Sequence, residues 1–372
     1  MVKFKNPTNE QAAPTLYQGG TPFLDALEND LKKASHSIAI QVMSFEADQA
    51  GQQIVELLSS YPKLQRRLLI DAYSTIVVND TWTQRPGNSP RLRAAREEAR
   101  QLWPLCQQAM NNGIEIRFTQ PLGPLFLKYP FRNHKKCVLI DQAISYVGGI
   151  NITDHNFGWN DIMIRDQHTV LAQSLQQSFD SDWQSGFLPN KLKKFTPATT
   201  SNPTTSSDQT TTSDLSTTSA PSTRETPPAY QRLDEHTELY LLNGVSTKAT
   251  YRQLQQTVEQ AKRVQVFSPY ITYPMLDSVA NVAEHTVWMP EHNNKALVKL
   301  TSRLPRYRKL NVQTIPGSPE DMLHAKVMVL DEETVVYGSS NFDLVSYLFE
   351  QELIIVRRNA GLAQKILDAL RP

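Results

Sequence analysis

Cysteine is nearly absent: Cys106 and Cys137 are the only two in 372 residues. Two thiols cannot staple a chain of this length. Cys137 also lies inside an apolar run, so the pattern fits a reducing compartment. Long apolar runs are missing as well. No stretch reaches the ~18 residues of a membrane span, and residues 1–20 hold no apolar region of signal type. A surplus of one charge sign is lacking too. With a net charge of +1 there is no overall pull toward nucleic acid, so any basic site must be local. These absences give the expectation of a cytoplasmic chain, soluble or at most peripheral on a membrane. What is present is 40% apolar content, enough to bury one large core or two domain-sized ones.

One stretch occurs twice. His134-Lys-Lys136-Cys-Val-Leu-Ile-Asp141 and His324-Ala-Lys326-Val-Met-Val-Leu-Asp331 both read H-x-K-x-x-x-x-D. Each continues to a glycine (Gly148, Gly338) and an asparagine (Asn151, Asn341), and His to Asn is 17 positions in both copies (151 − 134 and 341 − 324). Five fixed positions arise by chance about once in 10⁶ starts when each residue type is used at a few per cent. The chain therefore contains an internal repeat.

Cys137–Ile140 and Val327–Leu330 read as short buried strands. Side chains alternate along a strand, so His134 and Lys136 share a face, as do His324 and Lys326. Asp141-Gln142 and Asp331-Glu332 read as turns into return strands. Gly148-Gly149 and Gly338-Ser339 then bend the chain and bring each Asn toward its His and Lys. An imidazole, an ammonium and an amide in one small volume suit a phosphodiester. The lysine neutralises non-bridging oxygens, the asparagine donates to them, and the histidine acts as nucleophile or acid.

The doubled motif, HxK(x)4D(x)6G followed by Gly or Ser and then Asn, resembles the signature of the phospholipase D superfamily. The wider pattern resembles its cardiolipin synthase branch: Phe45-Glu46-x-Asp48-x-x-Gly51, Arg132-Asn133-His134, Gly148-Gly-Ile-Asn151, Trp159-Asn-Asp161, Ser268-Pro-Tyr270 and Gly338-Ser-Ser-Asn341-Phe-Asp343. The resemblance implies an α/β fold of two pseudo-symmetric α/β/α sandwich halves with mixed sheets. It implies catalytic residues His134, Lys136, His324 and Lys326, and substrate binding by Asn151, Asn341 and Ser339. Asp141 and Asp331 take a structural role. Asp161 and Glu352 lie 27 and 28 residues after the two histidines. The resemblance implies that an acidic residue at this offset hydrogen-bonds the imidazole nitrogen turned away from substrate. His134 is the implied nucleophile, passing through a phosphohistidine, and His324 the implied acid. No metal and no cofactor are implied, since Lys136 and Lys326 supply the positive charge.

The pattern departs at Leu344-Val-Ser346 and Glu350-Gln-Glu352, where the branch commonly has Pro-Arg-Ser and Asn-Phe-Glu. That bears on the choice of acceptor, not on phosphodiester chemistry. The expected activity is phosphatidyl transfer of cardiolipin synthase type on a phospholipid such as phosphatidylglycerol. A phospholipase D-type hydrolase or a metal-independent nuclease is the alternative, and nucleic acid is the less favoured partner.

Along the chain, helices are expected over 21–36, with Thr21 as cap, over 50–61, and over 90–112, the last charged and exposed. Strands are expected at 37–43, 67–71 and 113–118, an α/β alternation. In the second half, 251–261 reads as a helix and 263–268 as a strand. The halves are drawn as 1–190 (motif 134–151) and 231–372 (motif 324–341). Between them 191–230 is a Ser/Thr/Pro-rich linker: 19 of the 31 residues in 196–226 are Ser or Thr, a composition that cannot fill a core. Segment 121–132 has three prolines beside Leu125, Phe126, Leu127, Tyr129 and Phe131. It reads as a loop, either folded over the core or inserted into a lipid interface. Arg303, Arg306, Arg308 and Lys309 form the strongest basic run, suited to lipid headgroups, a nucleic-acid backbone or plain solvent.

Overall fold

The computed structural model describes residues 13–193, 226–291, 304–318 and 321–372. Most of the expected linker, together with Arg303, lies outside the described residues.

Each motif opens a short strand, Cys137–Ile140 or Val327–Leu330, whose four side chains are all buried. A two-residue turn follows. Asp141 and Gln142 have φ of 52° and 53°, and Asp331 and Glu332 have 53° and 59°. Positive φ at both turn residues is the type I′ geometry that matches hairpin twist. The return strands are Ile144–Gly148 and Thr334–Gly338. Asp141 accepts the backbone N–H of Ser35, His36 and Ser37, each at 2.8 Å. Asp331 accepts those of Lys262 and Arg263 at 2.9 and 2.8 Å. The two carboxylates thus tie each hairpin to the start of the neighbouring strand. Burial resists ionisation of Asp141, but the bonds from Ser37, Ser35 and His36 outweigh it and hold the carboxyl below its ordinary value.

The first sheet runs, in spatial order, Thr15–Gln18, Ile162–Asp166, Ile144–Gly148, Cys137–Ile140, Ser37–Val42, Gln65–Asp71, Glu115–Thr119. The second repeats that order with Thr237–Asn243, Gln351–Arg358, Thr334–Gly338, Val327–Leu330, Arg263–Phe267, Glu284–Pro290, Val312–Ile315, and adds an outer strand, Tyr230–Arg232. In each sheet the last three of these strands are parallel and the hairpin side is antiparallel. The repeat seen in the motifs extends over both halves, an α/β fold with two mixed sheets.

Strand alternation sorts the side chains between cores. Ile38, Ile40 and Val42 face an outer core under helices Gly20–Leu31, Gln49–Ser59 and Pro90–Asn111. Ala39, Leu69, Cys137 and Leu139 face inward. The second sheet has its own outer core beneath Lys248–Glu259 and Met275–Ala280. The inner faces share one core: Leu139 and Val147 from the first sheet, Val329 and Tyr337 from the second, with helices Thr169–Ser185 and Ala360–Leu370 wedged between. Each large apolar side chain buried there stabilises the joined state by roughly 1.5–3 kcal/mol.

Helix ends differ from expectation by up to five residues. The first helix begins at Gly20 with Gly19, not Thr21, as its N-cap, and ends at Leu31. The helix Pro90–Asn111 is not simply exposed. Leu92, Ala95, Leu102, Leu105, Cys106 and Ala109 are buried along one face. Small residues in that stripe make it inconspicuous among the charges. Among the described residues no helix is long and apolar enough to cross a membrane.

Candidate active site

The halves are stitched by two reciprocal backbone bridges at the motif entrances. His134 N–H donates to Gln351 O at 2.9 Å and Gln351 N–H to Arg132 O at 2.8 Å. Likewise His324 N–H donates to Asn160 O at 2.9 Å and Asn160 N–H to Met322 O at 3.0 Å. Each motif is therefore fastened to the segment bearing the other half's acidic residue. His134 Nδ1 meets Glu352 Oε1 at 2.9 Å, and His324 Nδ1 meets Asp161 Oδ2 at 2.6 Å. Along the chain Asp161 follows His134 and Glu352 follows His324. In space the carboxylates are exchanged. A carboxylate at Nδ1 keeps the proton there and makes Nε2 the reacting nitrogen.

Lys136 and Lys326 stand two positions on, on the same strand faces, and both are buried. Their Nζ atoms donate to the carbonyls of His134 and His324 at 2.8 and 2.6 Å. Lys326 Nζ also lies 2.9 and 3.2 Å from the two ring nitrogens of His324 and 3.6 Å from Asp161. Burial, reinforced by Lys326, pulls Lys136 below the ordinary lysine range, with Glu352, Glu350 and Asp161 opposing. Burial and the Lys326 ammonium bring His324 down to about 3 against the raising effect of Asp161. Asp161 is itself held below the ordinary carboxylate value: burial opposes this, but Lys326 and His324 prevail. At neutral pH the pair is an ionised carboxylate and a neutral imidazole.

The residue after each motif glycine serves the exchanged carboxylate. Ser339, expected to bind substrate, is fully buried. Its hydroxyl donates to Glu352 Oε2 and receives Leu353 N–H at 3.0 Å, because the strand bends back onto Leu353 there. The equivalent residue in the first half is Gly149. A Cβ there would overlap both carboxylate oxygens of Asp161. Gly149→Ala is therefore expected to push Asp161 off His324 and lower kcat about 10²-fold, the usual penalty for an ångström-scale misplacement. Unchanged kcat in a folded G149A would show that Asp161 has room to spare. Of the two asparagines, Asn151 accepts Ser44 N–H at 3.1 Å and donates to Asn156 Oδ1 at 2.9 Å. Asn341 is buried with its Oδ1 lacking a hydrogen-bond partner.

Several site residues were not singled out by the sequence. Glu350 is buried, with Oε2 4.0 Å from His134 Nδ1. A signal was available, an acidic residue just before the buried strand Gln351–Arg358. The Trp159 ring lies 4.5 Å from that of His324, and Tyr270 lies 6.3 Å away. Arg132 and Asp71 form a buried pair at 2.9 Å, and Asn133 N–H donates to Asp71 at 2.7 Å, fixing the first motif to strand Gln65–Asp71. Burial lifts Asp71 to about 6 even though Arg132 pulls the other way. Away from the imidazoles, Glu46, Asp48 and Glu98 bring carboxylate oxygens within 4.8 Å of one another. Burial pushes Glu46 up to about 9.

Comparison with known proteins agrees with this geometry. A family model described as "Cardiolipin synthase, PLD-like domain" matches residues 27–183 and 239–371. The major cardiolipin synthase ClsA of Bacillus subtilis (strain 168) is 25% identical over 206 residues, 51% of this chain and 38% of that protein. The cardiolipin synthase of Geobacillus kaustophilus (strain HTA426) is 23% identical over 362 residues, 92% of this chain and 62% of its own length. The chain thus spans less than two thirds of either relative. In fold, the phosphatidylserine synthase of Haemophilus influenzae Rd KW20 is similar, with a TM-score of 0.65 over 96% of this chain and 86% of that one, at 12% identity. The polyphosphate kinase of Porphyromonas gingivalis has a TM-score of 0.55 over 97% of this chain and 51% of its own, at 11% identity. With both halves matched by one model, the chain belongs to the cardiolipin synthase, phospholipase D-like domain family.

Proposed function

We propose that the protein is a phosphatidyltransferase of cardiolipin synthase type, acting on a phospholipid phosphodiester through a phosphohistidine intermediate. The observation that carries this is the pair of imidazoles, each anchored at Nδ1 by a carboxylate of the opposite half, with a buried lysine beside each. One Nε2 attacks phosphorus while the other imidazole protonates the departing alkoxide. The second imidazole then deprotonates an incoming alcohol, which displaces the first. Lys136 and Lys326 offset the charge that gathers on the non-bridging oxygens. Asn341, whose amide oxygen has no hydrogen-bond partner among the described residues, has an acceptor left over for a substrate hydroxyl. The test is to supply phosphatidylglycerol vesicles or DNA, each in EDTA. Phosphatidyl transfer on the vesicles supports the reading; cleavage of DNA alone replaces it with a nuclease.

A lipid substrate is also favoured by segment 121–132. It does not fold over the core. Leu125 and Leu127 are 90% and 72% exposed, and Phe126, Tyr129 and Phe131 are exposed beside them. Exposed Trp82 joins the group, its ring 6.2 Å from Phe126 and 6.5 Å from Tyr129. Phe131 reaches the second half at Phe349, ring to ring at 5.5 Å. Lys128 is exposed among them, and Arg132 donates to its carbonyl at 2.8 Å, tying the loop to the residues before His134. Aromatic and aliphatic tips flanked by a lysine suit the boundary of an anionic bilayer. By contrast Arg306, in the basic run that a nuclease would use, is paired with Asp277 at 3.4 Å and stacked on Tyr307 and Tyr273.

Replacing Phe126 and Leu127 with Ser is expected to weaken sedimentation with anionic vesicles tenfold or more, since two side chains worth roughly 1.5–3 kcal/mol each no longer leave water. Turnover of bilayer substrate should fall with binding, and turnover of a short soluble phosphodiester should hold. Equal losses on both substrates would return the loop to a structural role.

A further inference from the structure

The two imidazoles are related by the pseudo-twofold axis, but their surroundings are not equal. Asn160 and Gln351 make the same cross-half bridges, so they occupy equivalent places. It follows that Asp161 corresponds to Glu352, and Trp159 to Glu350. At the first pair the chemistry is the same, a carboxylate on Nδ1. At the second it is opposite. An indole lies 4.5 Å from the His324 ring, whereas a carboxyl lies 4.0 Å from His134 Nδ1.

From this asymmetry we infer that His324 is the nucleophile and His134 the proton donor and acceptor, with Glu350 the positioning residue that keeps His134 charged. The inference rests on the phosphodiester-transfer reading above and reverses the roles that family resemblance implies. His134 faces two carboxyls, Glu352 and Glu350, and negative charge at that range favours the imidazolium. The single hydroxyl of Ser346 lies 2.9 Å from Glu350 Oε2 and 2.7 Å from Glu352 Oε1. Ser346 has one proton to donate and Ser339 gives another to Glu352 Oε2, two neutral donors for two carboxyls. The remaining compensation is positive charge, from His134 and from the motif lysines. Lys136 acts on both carboxylates and Lys326 on Glu352, Asp343 opposes ionisation of Glu350, and Tyr73 and Tyr129 feel the Glu350 charge. His324, by contrast, has one carboxylate, an indole and the Lys326 ammonium against its ring, surroundings that favour a neutral ring. Burial raises the Glu350 carboxyl to about 7 and the His134 charge opposes that rise, so Glu350 carries its full charge on the alkaline side, where it holds the proton on His134; His324 is held far below an ordinary histidine.

The steps balance. Neutral His324 Nε2 forms a bond to phosphorus as the phosphorus–oxygen bond to the leaving alcohol breaks, and that oxygen takes the Nε2 proton of His134. The acceptor alcohol then gives its proton to His134 Nε2 while its oxygen bonds to phosphorus. The phosphorus–nitrogen bond breaks, and both histidines return to their starting states.

An aryl phosphodiester separates the roles, because nitrophenolate departs without a proton. With bis(p-nitrophenyl) phosphate, His134→Ala is expected to release a single equivalent of nitrophenolate and stall with the adduct on the His324 peptide, whereas His324→Ala releases none. His134→Asn repeats the test should the alanine variant fail to fold. A burst from His324→Ala, an adduct on His134, or no burst from either variant while wild type turns over would overturn the assignment. For Glu350, the readout is the pH profile with an alkyl phosphodiester. Glu350→Gln should move the alkaline limb about one unit to lower pH, since removing a nearby negative charge lowers the pKa of an imidazolium, and Glu350→Asp should restore it. A uniform loss at every pH, with no displacement of the limb, would make Glu350 merely structural and remove it from the proposal. Wild-type protein inert on both esters would instead remove the transfer reading, and this inference with it.

Discussion

His134→Ala and His324→Ala are each expected to reduce turnover of an alkyl phosphodiester at least about 10⁴-fold, the scale seen when one member of a catalytic unit is removed. Wild-type turnover should persist in EDTA. The expectation comes from the way the two halves share their chemistry. Neither motif holds a complete set of groups, because each imidazole takes its Nδ1 partner from the other half. With an alkyl leaving group both an attacking nitrogen and a proton source are needed, and one imidazole cannot be both in the same step. In the proposed reaction the two lysines, both buried, supply the positive charge that a cation would otherwise bring. Substantial activity in either alanine variant would mean that the halves work separately. Loss of wild-type activity in EDTA would mean that the lysines are insufficient.

The second large effect concerns the exchanged carboxylates. Asp161→Asn and Glu352→Gln should each cost about 10³–10⁴-fold in kcat, by analogy with an amide that selects the wrong imidazole tautomer. The substitutions should act on opposite histidines. In ¹⁵N spectra of the imidazoles, Asp161→Asn is expected to move the His324 signals and leave those of His134 in place, and Glu352→Gln the reverse. If Asp161→Asn moves the His134 signals alone, the crossed arrangement is wrong. A loss of only a few-fold in both variants would show that neither carboxylate governs its ring.

The hairpins, the places of their turns and the mixed α/β architecture were legible because the sequence writes them twice. Asp141-Gln142 and Asp331-Glu332 mark the same turn at the same offset, and apolar strands on either side fix the register. What the sequence could not show was which carboxylate meets which histidine. His134 and Glu352 are 218 positions apart, and the near-equal offsets within each half, 27 and 28 residues, suggest the wrong pairing as readily as the right one. The single inner core was hidden for a related reason. Strand alternation at Ile38–Val42 announces two buried faces but not that the inner one belongs jointly to the other sheet. Ser339 was expected at the substrate from its place beside Asn341, and what the sequence did not show is that the bend after Gly338 turns its hydroxyl onto Glu352. Exposure of Leu125 and Leu127 was undecidable from composition, since apolar loop residues face a core or an interface with equal ease.

The pseudo-twofold relation between the motif hairpins also bears on the direction of the reaction. In-line displacement at phosphorus passes through a trigonal bipyramid whose own twofold axis exchanges the entering and leaving atoms and two of the three equatorial oxygens. In the proposed double displacement that axis exchanges a histidine nitrogen with an alcohol oxygen, so a frame near that symmetry would hold the phosphoryl group alike in both steps. The departing and the entering alcohol use the one face opposite the nucleophile, so the unequal surroundings of the imidazoles do not tell them apart. With two phosphodiesters of similar energy on either side, the balance between synthesis and reversal falls to the local concentrations of competing hydroxyl groups, water included. Any net direction must then come from what the surface around the hairpins admits.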